Sequence, residues 1–453
     1  MGWLRDNTKT MGPNGDDQAR DPSLLGWQAA GVCLLVVCLL AGFWRTLGQI
    51  GLYVEDAVLF SAYYGNRLPL TDIFRSHIGQ PYLTVPADFL AWLYAWADVR
   101  WQPWLYQATG FVWAVGAAAL LSFSGLIHSR ALLLISPLLL GLAGLNHLYY
   151  YTTLIYIMYS GVIMLLILLL YPAPTTRKGL ALQALLLLIL PWSGPYSVLA
   201  LPAAGLLFFC TGNRAKRALL LLAFCSSLAY VLTVTGSNLR LARLATSWVV
   251  ERYFSAVFDK VILFDFFAAP HLGYGVFLVL ALALAFYLLR EDEGYLQTAL
   301  VLLLWLFGSI AMFYLSAKFA QYIRLQDSHL VVAGFCWMVF LVLTVDRLLG
   351  KFWSGPRGAA VLSLALLVLV GLNLWMHAGR WQVRPSDELR RYLETVAFYQ
   401  RQDLAKQKLS VWLWLPRARM APMVQVGYPG PDGRQLRPND PAIITGRRFV
   451  LVR

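Results

Sequence analysis

Eleven long apolar segments decide what this chain can fold into. A segment needs about 20 mostly apolar residues to cross a hydrocarbon core of about 30 Å. The candidates are 27–48, 103–127, 131–148, 152–172, 178–193, 195–211, 216–235, 271–290, 295–316, 328–346 and 358–378. Because 59% of the residues are hydrophobic and 13% charged, against about 25% charged in soluble domains, we predict an all-α polytopic membrane protein with about 11 transmembrane helices. Two segments are short, so this count can change by one or two.

The charges of the short loops predict the orientation. Cytoplasmic loops carry an excess of Lys and Arg. With residues 1–26 as a disordered cytoplasmic N-terminus, the inner loops hold Arg130, Arg177, Lys178, Arg214, Lys216, Arg217, Arg290, Arg347, Lys351 and Arg357. The membrane domain then covers 27–378, and its external loops are 49–102, 236–270 and 317–327, followed by an external tail at 379–453. We therefore expect the working surface outside the cell.

Several function classes are disfavoured by missing motifs. The sequence has neither Gly-x-x-x-x-Gly-Lys nor a strand-bound Gly-x-Gly-x-x-Gly, so activated nucleotides are not the expected substrate. Its five cysteines lack metal-ligand spacing and lie in or beside the spans, so no disulfide framework is expected. A donor delivered on a lipid fits better, and no nucleic-acid partner is expected.

An acid pair, Glu55 and Asp56, interrupts an aromatic run just after the first span. Read as a helix, 56–64 places on one face Asp56, Leu59, Phe60, Tyr63 and Tyr64. A carboxylate under such cover should have a raised pKa, which suits a general base or a metal ligand. Alternatively, Asp56 caps this helix and Glu55 complements its dipole. His77, in the same loop, could serve proton transfer or be a structural histidine.

Residues 86–96 predict a short helix at the membrane surface. It begins with Pro86, is too short to span, and places on one face Phe89, Trp92, Leu93 and Trp96. Trp is favoured in the headgroup region. Such interfacial helices in the first external loop would bring a lipid headgroup to the acids.

Basic residues in the other external loops are candidate phosphate ligands. Arg240 and Arg243 are three residues apart and would share a helical face. Tyr322 and Arg324 lie in a polar island between two spans. Arg suits a phosphate or pyrophosphate, and the alternative is that these side chains extend to lipid headgroups.

The uncharged turn around 190–197 is predicted on the outer side. Pro191, Gly194 and Pro195 indicate a tight re-entry into the membrane. Trp192 and Tyr196, together with Tyr63 of the first loop, could line an acceptor or sugar site, or serve packing alone.

The tail at 379–453 is basic. It holds 14 Lys and Arg against 6 Asp and Glu, a net +8 of the chain's +14. A charged helix at 387–406 and two short strands, Ser410–Leu415 and Phe449–Val452, predict a small α+β external domain. Its charge favours anionic lipid heads or an acidic glycan, or a general membrane-surface role.

This layout resembles the GT-C superfamily of glycosyltransferases, which use polyprenyl-phosphate-linked sugars. The acid pair after the first span, the Glu55-Asp56-x-x-x-Phe60 pattern, His77 and the Ser193-Gly194-Pro195 turn look like bacterial members similar to serotype-converting glucosyltransferases. The resemblance covers roughly 27–378 and leaves the tail unmatched.

The resemblance implies an enzyme of the bacterial inner membrane with its active site on the periplasmic face. Asp56 would be the base of an inverting transfer, Glu55 would assist it or bind metal, and Arg324 with Arg240 or Arg243 would hold the phosphate. The acceptor would be a cell-envelope glycan, lipid or protein. No cofactor is certain, because the superfamily is mixed on its need for a divalent metal such as Mg²⁺ or Mn²⁺.

Three other functions compete with a single-sugar transferase. An O-antigen or polysaccharide polymerase or ligase also uses lipid-linked donors, but a polymerase yields ladders of products. A transporter or flippase of lipid-linked glycans predicts ionisable residues near the bilayer midplane, whereas these spans are almost free of charge. A non-catalytic assembly subunit is the fourth interpretation.

Overall fold

The computed structural model describes a set of helices and one pair of strands. The described residues are 22–44, 56, 59, 62–63, 68–74, 82–97, 101–143, 153–235, 257, 261, 282–283, 285–315, 330–352, 368, 411–415 and 448–452. Their α-helices are α1 (Pro22–Trp44), α2 (Val85–Tyr94), α3 (Gln102–Phe123), α4 (Arg130–Ala143), α5 (Ile157–Leu170), α6 (Arg177–Ile189), α7 (Ala200–Cys210), α8 (Arg214–Thr235), α9 (Glu293–Leu315) and α10 (Val331–Phe352). Three short 3-10 helices accompany them, η1 (Leu70–Phe74), η2 (Leu190–Ser193) and η3 (Pro195–Leu199).

The membrane character of the chain is confirmed at a coarse level. By length and composition, four of the described helices can cross a membrane, over Trp104–Phe123, Arg214–Val234, Glu293–Met312 and Val331–Lys351. Shorter apolar helices cover Leu24–Leu40, Ile157–Leu170 and Pro195–Cys210. The predicted spans 271–290 and 358–378 lie largely outside the described residues, so about 11 transmembrane helices stays a prediction.

Helices α3 and α5 run side by side in the same direction. The backbone of Gly161 in α5 lies against Trp113 of α3, and three residues further along both helices Gly116 faces Met164. This parallel register places the ends of both helices, Phe123 and Leu170, at the same end of the bundle. The buried core between them is aliphatic and continues into α4 and α10.

One end of the bundle is basic. Lys216 at the start of α8 donates from Nζ to the carbonyl oxygens of Leu168 (3.2 Å) and Tyr171 at the end of α5. Asp346 near the end of α10 accepts from the backbone N–H of Ser129 (2.7 Å) just before α4. The Lys216 contact supplies a donor to carbonyl oxygens at the end of α5, and the Asp346 contact supplies an acceptor to an N–H group at the start of α4. Such terminal groups have no hydrogen-bond partner within their own helix. Every Lys and Arg that the structure describes between residues 22 and 352 lies at this end, namely Arg130, Arg177, Lys178, Arg214, Lys216, Arg217, Arg290, Arg347 and Lys351.

The opposite end of the bundle, which we call the acidic end, is formed by α2, η1, η2 and the start of α5. Three acids are described there, Asp56, Asp72 and Asp88, and all three are buried. The described Lys and Arg residues therefore gather at one end, whereas the described acids lie at both ends, with Asp292 and Asp346 at the basic end. The acidic end differs in that its described acids are all buried and have no described Lys or Arg near them.

The two strands predicted in the tail are confirmed. β1 (Val411–Leu415) and β2 (Arg448–Val452) pair antiparallel, with Leu413 opposite Val450. The rest of 379–453 lies outside the described residues, so the α+β external domain stays a prediction.

Candidate functional site

The acid that the sequence singles out, Asp56, is buried at the start of α5. Only 1% of its surface is exposed. Its carboxylate accepts from the backbone N–H of Ile155 (2.8 Å) and of Leu154 (3.3 Å), just before α5 begins at Ile157. The sequence offered capping of its own helix as an alternative role for Asp56. The structure shows that it caps a different helix, about a hundred residues further along the chain.

This position stabilises a negative charge. The first N–H groups of a helix have no partner within the helix, and the helix dipole is positive there. Hydrogen bonds from N–H groups to a carboxylate are charge-assisted and stronger than neutral ones. The contacts therefore orient the Asp56 carboxyl group under apolar cover and supply two donors that would stabilise a negative charge on it.

The predicted buried face of 56–64 is confirmed where the structure describes it. Asp56 and Leu59 are α-helical, Ala62 and Tyr63 continue as a π-helical turn, and all four are buried. Phe60 and Tyr64, the other predicted members of this face, lie outside the described residues. The four described residues of this segment are thus all buried, from Asp56 to Tyr63.

A second buried acid, Asp88, receives the Tyr63 hydroxyl. The Tyr63 O–H donates to Oδ1 of Asp88 (3.0 Å), and the Thr84 hydroxyl donates to Oδ2 (2.8 Å). Burial raises the pKa of Asp88 to about 7, although the hydrogen bonds from Thr84 and Tyr63 act in the opposite direction. Burial also raises the pKa of the Tyr63 hydroxyl, with a further contribution from the negative charge of Asp88.

The sequence prediction missed Asp88 because it lies in a segment assigned to the membrane surface. Its position in the helix was a usable signal, since Thr84, Asp88 and Ala91 follow the i, i+4, i+7 spacing of one face. All three are buried. The same helical spacing that groups the aromatic side chains on one face therefore places Asp88 on the opposite, buried face.

The aromatic face of α2 is confirmed. Phe89, Leu93 and Trp96 are exposed, and Trp96 is 79% exposed. Trp92 lies between the two rings, 6.2 Å from Phe89 and 6.3 Å from Trp96 between centroids. Helix α2 thus carries an outward aromatic face and an inward face with Asp88, as a helix at a membrane surface would.

The turn between α6 and α7 is packed against these elements. Trp192 donates from Nε1 to the Ser226 hydroxyl (3.2 Å) and makes edge contacts with Phe74 and Tyr230. Tyr196 is buried against the ring of Tyr159 at 6.2 Å. Trp192 and Tyr196 therefore both engage in packing contacts, and a sugar site at Tyr63, Trp192 and Tyr196 stays a prediction.

Two buried hydroxyl groups of this turn have no hydrogen-bond partner in the described part of the chain. They belong to Ser193 and Ser197. Ser193 Oγ faces the backbone of Gly161, where an added Cβ would lie 2.5 Å from it. The Ser193 hydroxyl is therefore held against α5 by close packing, which a side chain at Gly161 would disturb.

The remaining predicted site residues lie outside the described residues. They are Glu55, His77, Arg240, Arg243, Tyr322 and Arg324. The proposed phosphate ligands and the Glu55 metal ligand therefore stay predictions. Among the residues that the structure does describe, no group of three or more His, Cys, Asp or Glu is arranged to hold a metal ion.

Comparison with known proteins gives no match to this chain. No protein-family model matches it, and no curated protein or solved structure matches it significantly.

Proposed function

We propose that this chain is an integral-membrane glycosyltransferase of the GT-C type, which moves a sugar from a polyprenyl-phosphate donor to a cell-envelope acceptor by inverting displacement. The observation that carries the proposal is the Asp56 carboxylate, which is buried and oriented by two backbone N–H groups at the acidic end of the bundle. A base of this reaction must be ionised before the acceptor arrives, and these donors stabilise the ionised form.

The chemistry follows from that arrangement. Asp56 takes the proton of an acceptor hydroxyl while the hydroxyl oxygen forms a bond to the anomeric carbon. The bond from that carbon to the phosphate oxygen breaks, and the lipid phosphate leaves with the electron pair. Positioned proton transfer of this kind contributes about 10²–10⁴-fold to a rate. Arg324, with Arg240 or Arg243, is proposed to bind the leaving phosphate, whose charge grows as the bond breaks.

The surroundings of Asp56 suit a donor that stays in the bilayer. The exposed aromatic face of α2 is on the same loop as Asp56, and aromatic side chains favour the headgroup region. The Lys and Arg residues gather at the opposite end of the bundle. We infer that the acidic end faces the outside of a bacterial inner membrane, where lipid-linked sugars meet envelope acceptors.

The test compares two buried acids of the acidic end. Asp56→Asn keeps the size of the side chain but removes its basicity, and Asp72→Asn, in η1, is the matched control because Asp72 is also buried. Membranes containing each protein are incubated with labelled polyprenyl-phosphate hexoses, and incorporation into envelope material is measured. We expect Asp56→Asn to lose at least about 100-fold in transfer, with wild-type amounts of inserted protein, and Asp72→Asn to stay active.

Two results would contradict the proposal. Full activity of Asp56→Asn would exclude Asp56 as the base. Failure of the wild-type protein to transfer any hexose or pentose from such donors would remove the glycosyltransferase function itself. The same assay separates the nearest competing function, since a polymerase gives a ladder of products and a transferase adds one sugar.

A further inference from the structure

Hydrogen bonds at Asp56 and at Tyr63 attach the segment that carries Asp56 to the bundle. At one end Asp56 accepts from the backbone N–H of Leu154 and Ile155. Seven residues later, about 10 Å along a helix, the Tyr63 hydroxyl donates to Asp88 on α2. The position of the Asp56 carboxylate therefore depends on both attachments.

We propose that Asp88 is a positioning residue for Asp56, acting through the hydroxyl of Tyr63. The inference rests on the proposed function for its effect on catalysis, but the attachment itself is a statement about structure. A misplacement of about 1 Å at a reacting group can cost about 100-fold in rate. A hydrogen bond two turns away can therefore control the rate without touching the substrate.

Asp88 is itself held rigidly. Its second carboxylate oxygen accepts from the hydroxyl of Thr84, the residue preceding α2, and Asp88 is 2% exposed. Helix α2 in turn packs on η1, η2, α3 and α5. The acceptor that Tyr63 meets is thus part of the bundle, which is what a positioning contact requires.

In the described part of the chain, the helices packed on α2 bring no Lys, Arg or His to Asp88. The ionisable groups described on the segments around α2 are Asp56 and Tyr63, Asp72 on η1, Tyr106 on α3, Tyr156 and Tyr159 at the start of α5, and Tyr230 on α8. None of the described helices that contact α2 carries Lys, Arg or His in its described half nearest the acidic end. Burial raises the pKa of Asp88 to about 7, so its carboxyl group changes between acid and carboxylate near neutral pH. Because a hydrogen bond to a carboxylate is about twice as strong as one to a neutral acceptor, the attachment tightens as the pH rises through this value.

Three variants distinguish the effect of the Tyr63–Asp88 hydrogen bond from the effect of the negative charge on Asp88. Asp88→Asn keeps an amide oxygen for Tyr63 and an amide nitrogen that can donate to Thr84, but it does not titrate. Tyr63→Phe and Asp88→Ala remove the bond. The matched control is Tyr94→Phe, which removes the hydrogen bond between Tyr94 and Thr109 at the other end of α2 and leaves the Asp56 segment untouched.

Activity gives the first measurement. We expect Tyr63→Phe and Asp88→Ala to lower kcat about 10–100-fold with little change in KM for the lipid-linked donor. Wild-type kcat should rise with pH through about 7, whereas Asp88→Asn, whose amide oxygen is a neutral acceptor at every pH, should keep the lower, low-pH value of the wild type without this rise. Tyr94→Phe should behave as wild type in both respects.

Hydrogen–deuterium exchange gives a second measurement that needs no activity. Loss of the attachment should increase exchange at the backbone N–H of Leu154 and Ile155 in Tyr63→Phe and Asp88→Ala, but not in Tyr94→Phe. Unchanged exchange at these two amides in Tyr63→Phe overturns the inference, and so does faster exchange with undiminished kcat. Faster exchange in a protein whose wild type transfers no sugar upholds the attachment and removes the glycosyltransferase function.

Discussion

Replacement of Asp346 by alanine should detach the start of α4 from the end of α10. The Asp346 carboxylate accepts from the backbone N–H of Ser129 (2.7 Å) and His128 (3.0 Å), and Nδ1 of His128 lies 3.1 Å from it. These residues immediately precede α4, so Asp346 supplies a cap to a helix more than 200 residues away in sequence. The contact thus joins α4 and α10, which are far apart in the sequence.

The cost of this replacement can be worked out from burial. Asp346 is 4% exposed, so the two N–H groups lose their acceptor in a place that water does not easily reach. The His128 side chain is 41% exposed, so its ring regains solvent and adds little. An unsatisfied buried donor costs about 1–3 kcal/mol, and two such donors give about 2–4 kcal/mol after partial relaxation. With an unfolding entropy of about 2.1 cal/mol/K per residue, this cost lowers the Tm of the 453-residue chain by roughly 2–4 °C.

Thermal unfolding of the purified protein in detergent measures the effect. Asp292→Asn is the matched control, because Asp292 lies at the same end, is 36% exposed and faces Arg347 at 3.7 Å. An exposed ion pair contributes only about 0–1 kcal/mol. The reasoning is refuted if Asp346→Ala lowers Tm no more than Asp292→Asn does.

Three further predictions concern packing and protonation. Lys216→Met removes both hydrogen bonds to the end of α5 and should lower the free energy of unfolding by about 1–3 kcal/mol. The control Lys178→Met, at an exposed position, should change the free energy of unfolding by no more than about 0.5 kcal/mol. Equal Tm values for the two variants would contradict a stabilising role for the Lys216 hydrogen bonds. Gly31→Ala places a Cβ against a backbone carbonyl oxygen of α4, whereas Gly26→Ala on the same helix meets nothing, so only the first should lower Tm. The pKa of Asp88 is about 7 in the folded protein, against an ordinary value of 3.8. Because the folded state keeps this proton where the unfolded state has lost it, the free energy of unfolding falls as the pH rises from about 4 to about 7. The fall is at most about 4 kcal/mol. Asp88→Asn should therefore have a smaller fall in Tm between pH 5 and pH 8 than wild type, and identical falls would contradict the pKa assignment.

Some features of the site could be predicted because they depend on local periodicity. The spacing of Asp56, Leu59 and Tyr63 predicts a shared face, and all three are buried. The spacing of Phe89, Leu93 and Trp96 predicts an outward face, and all three are exposed. Helical geometry alone fixes which side chains share a face, so no knowledge of the neighbours was needed.

The turn between α6 and α7 was predicted only in part. Pro191, Gly194 and Pro195 indicate a break, and the structure places η2 and η3 there. That Trp192 meets Phe74 and Tyr230 could not be predicted, because these contacts join three segments that are far apart in the chain. A pattern of aromatic residues does not distinguish a ligand site from packing.

By itself, the sequence determined the membrane character, the grouping of Lys and Arg in the short loops of one end of the bundle, and the strands at Val411–Leu415 and Arg448–Val452. Each of these features depends on composition or on how apolar and charged residues repeat over a few positions, and the geometry of a helix or strand translates that repeat directly into structure. Tertiary structure decided the partners of the charged groups: Asp56 with the start of α5, Asp88 with Tyr63, Lys216 with the end of α5 and Asp346 with the start of α4. A buried charge must be satisfied by whichever donors or acceptors packing brings to it, and packing is a property of the whole bundle.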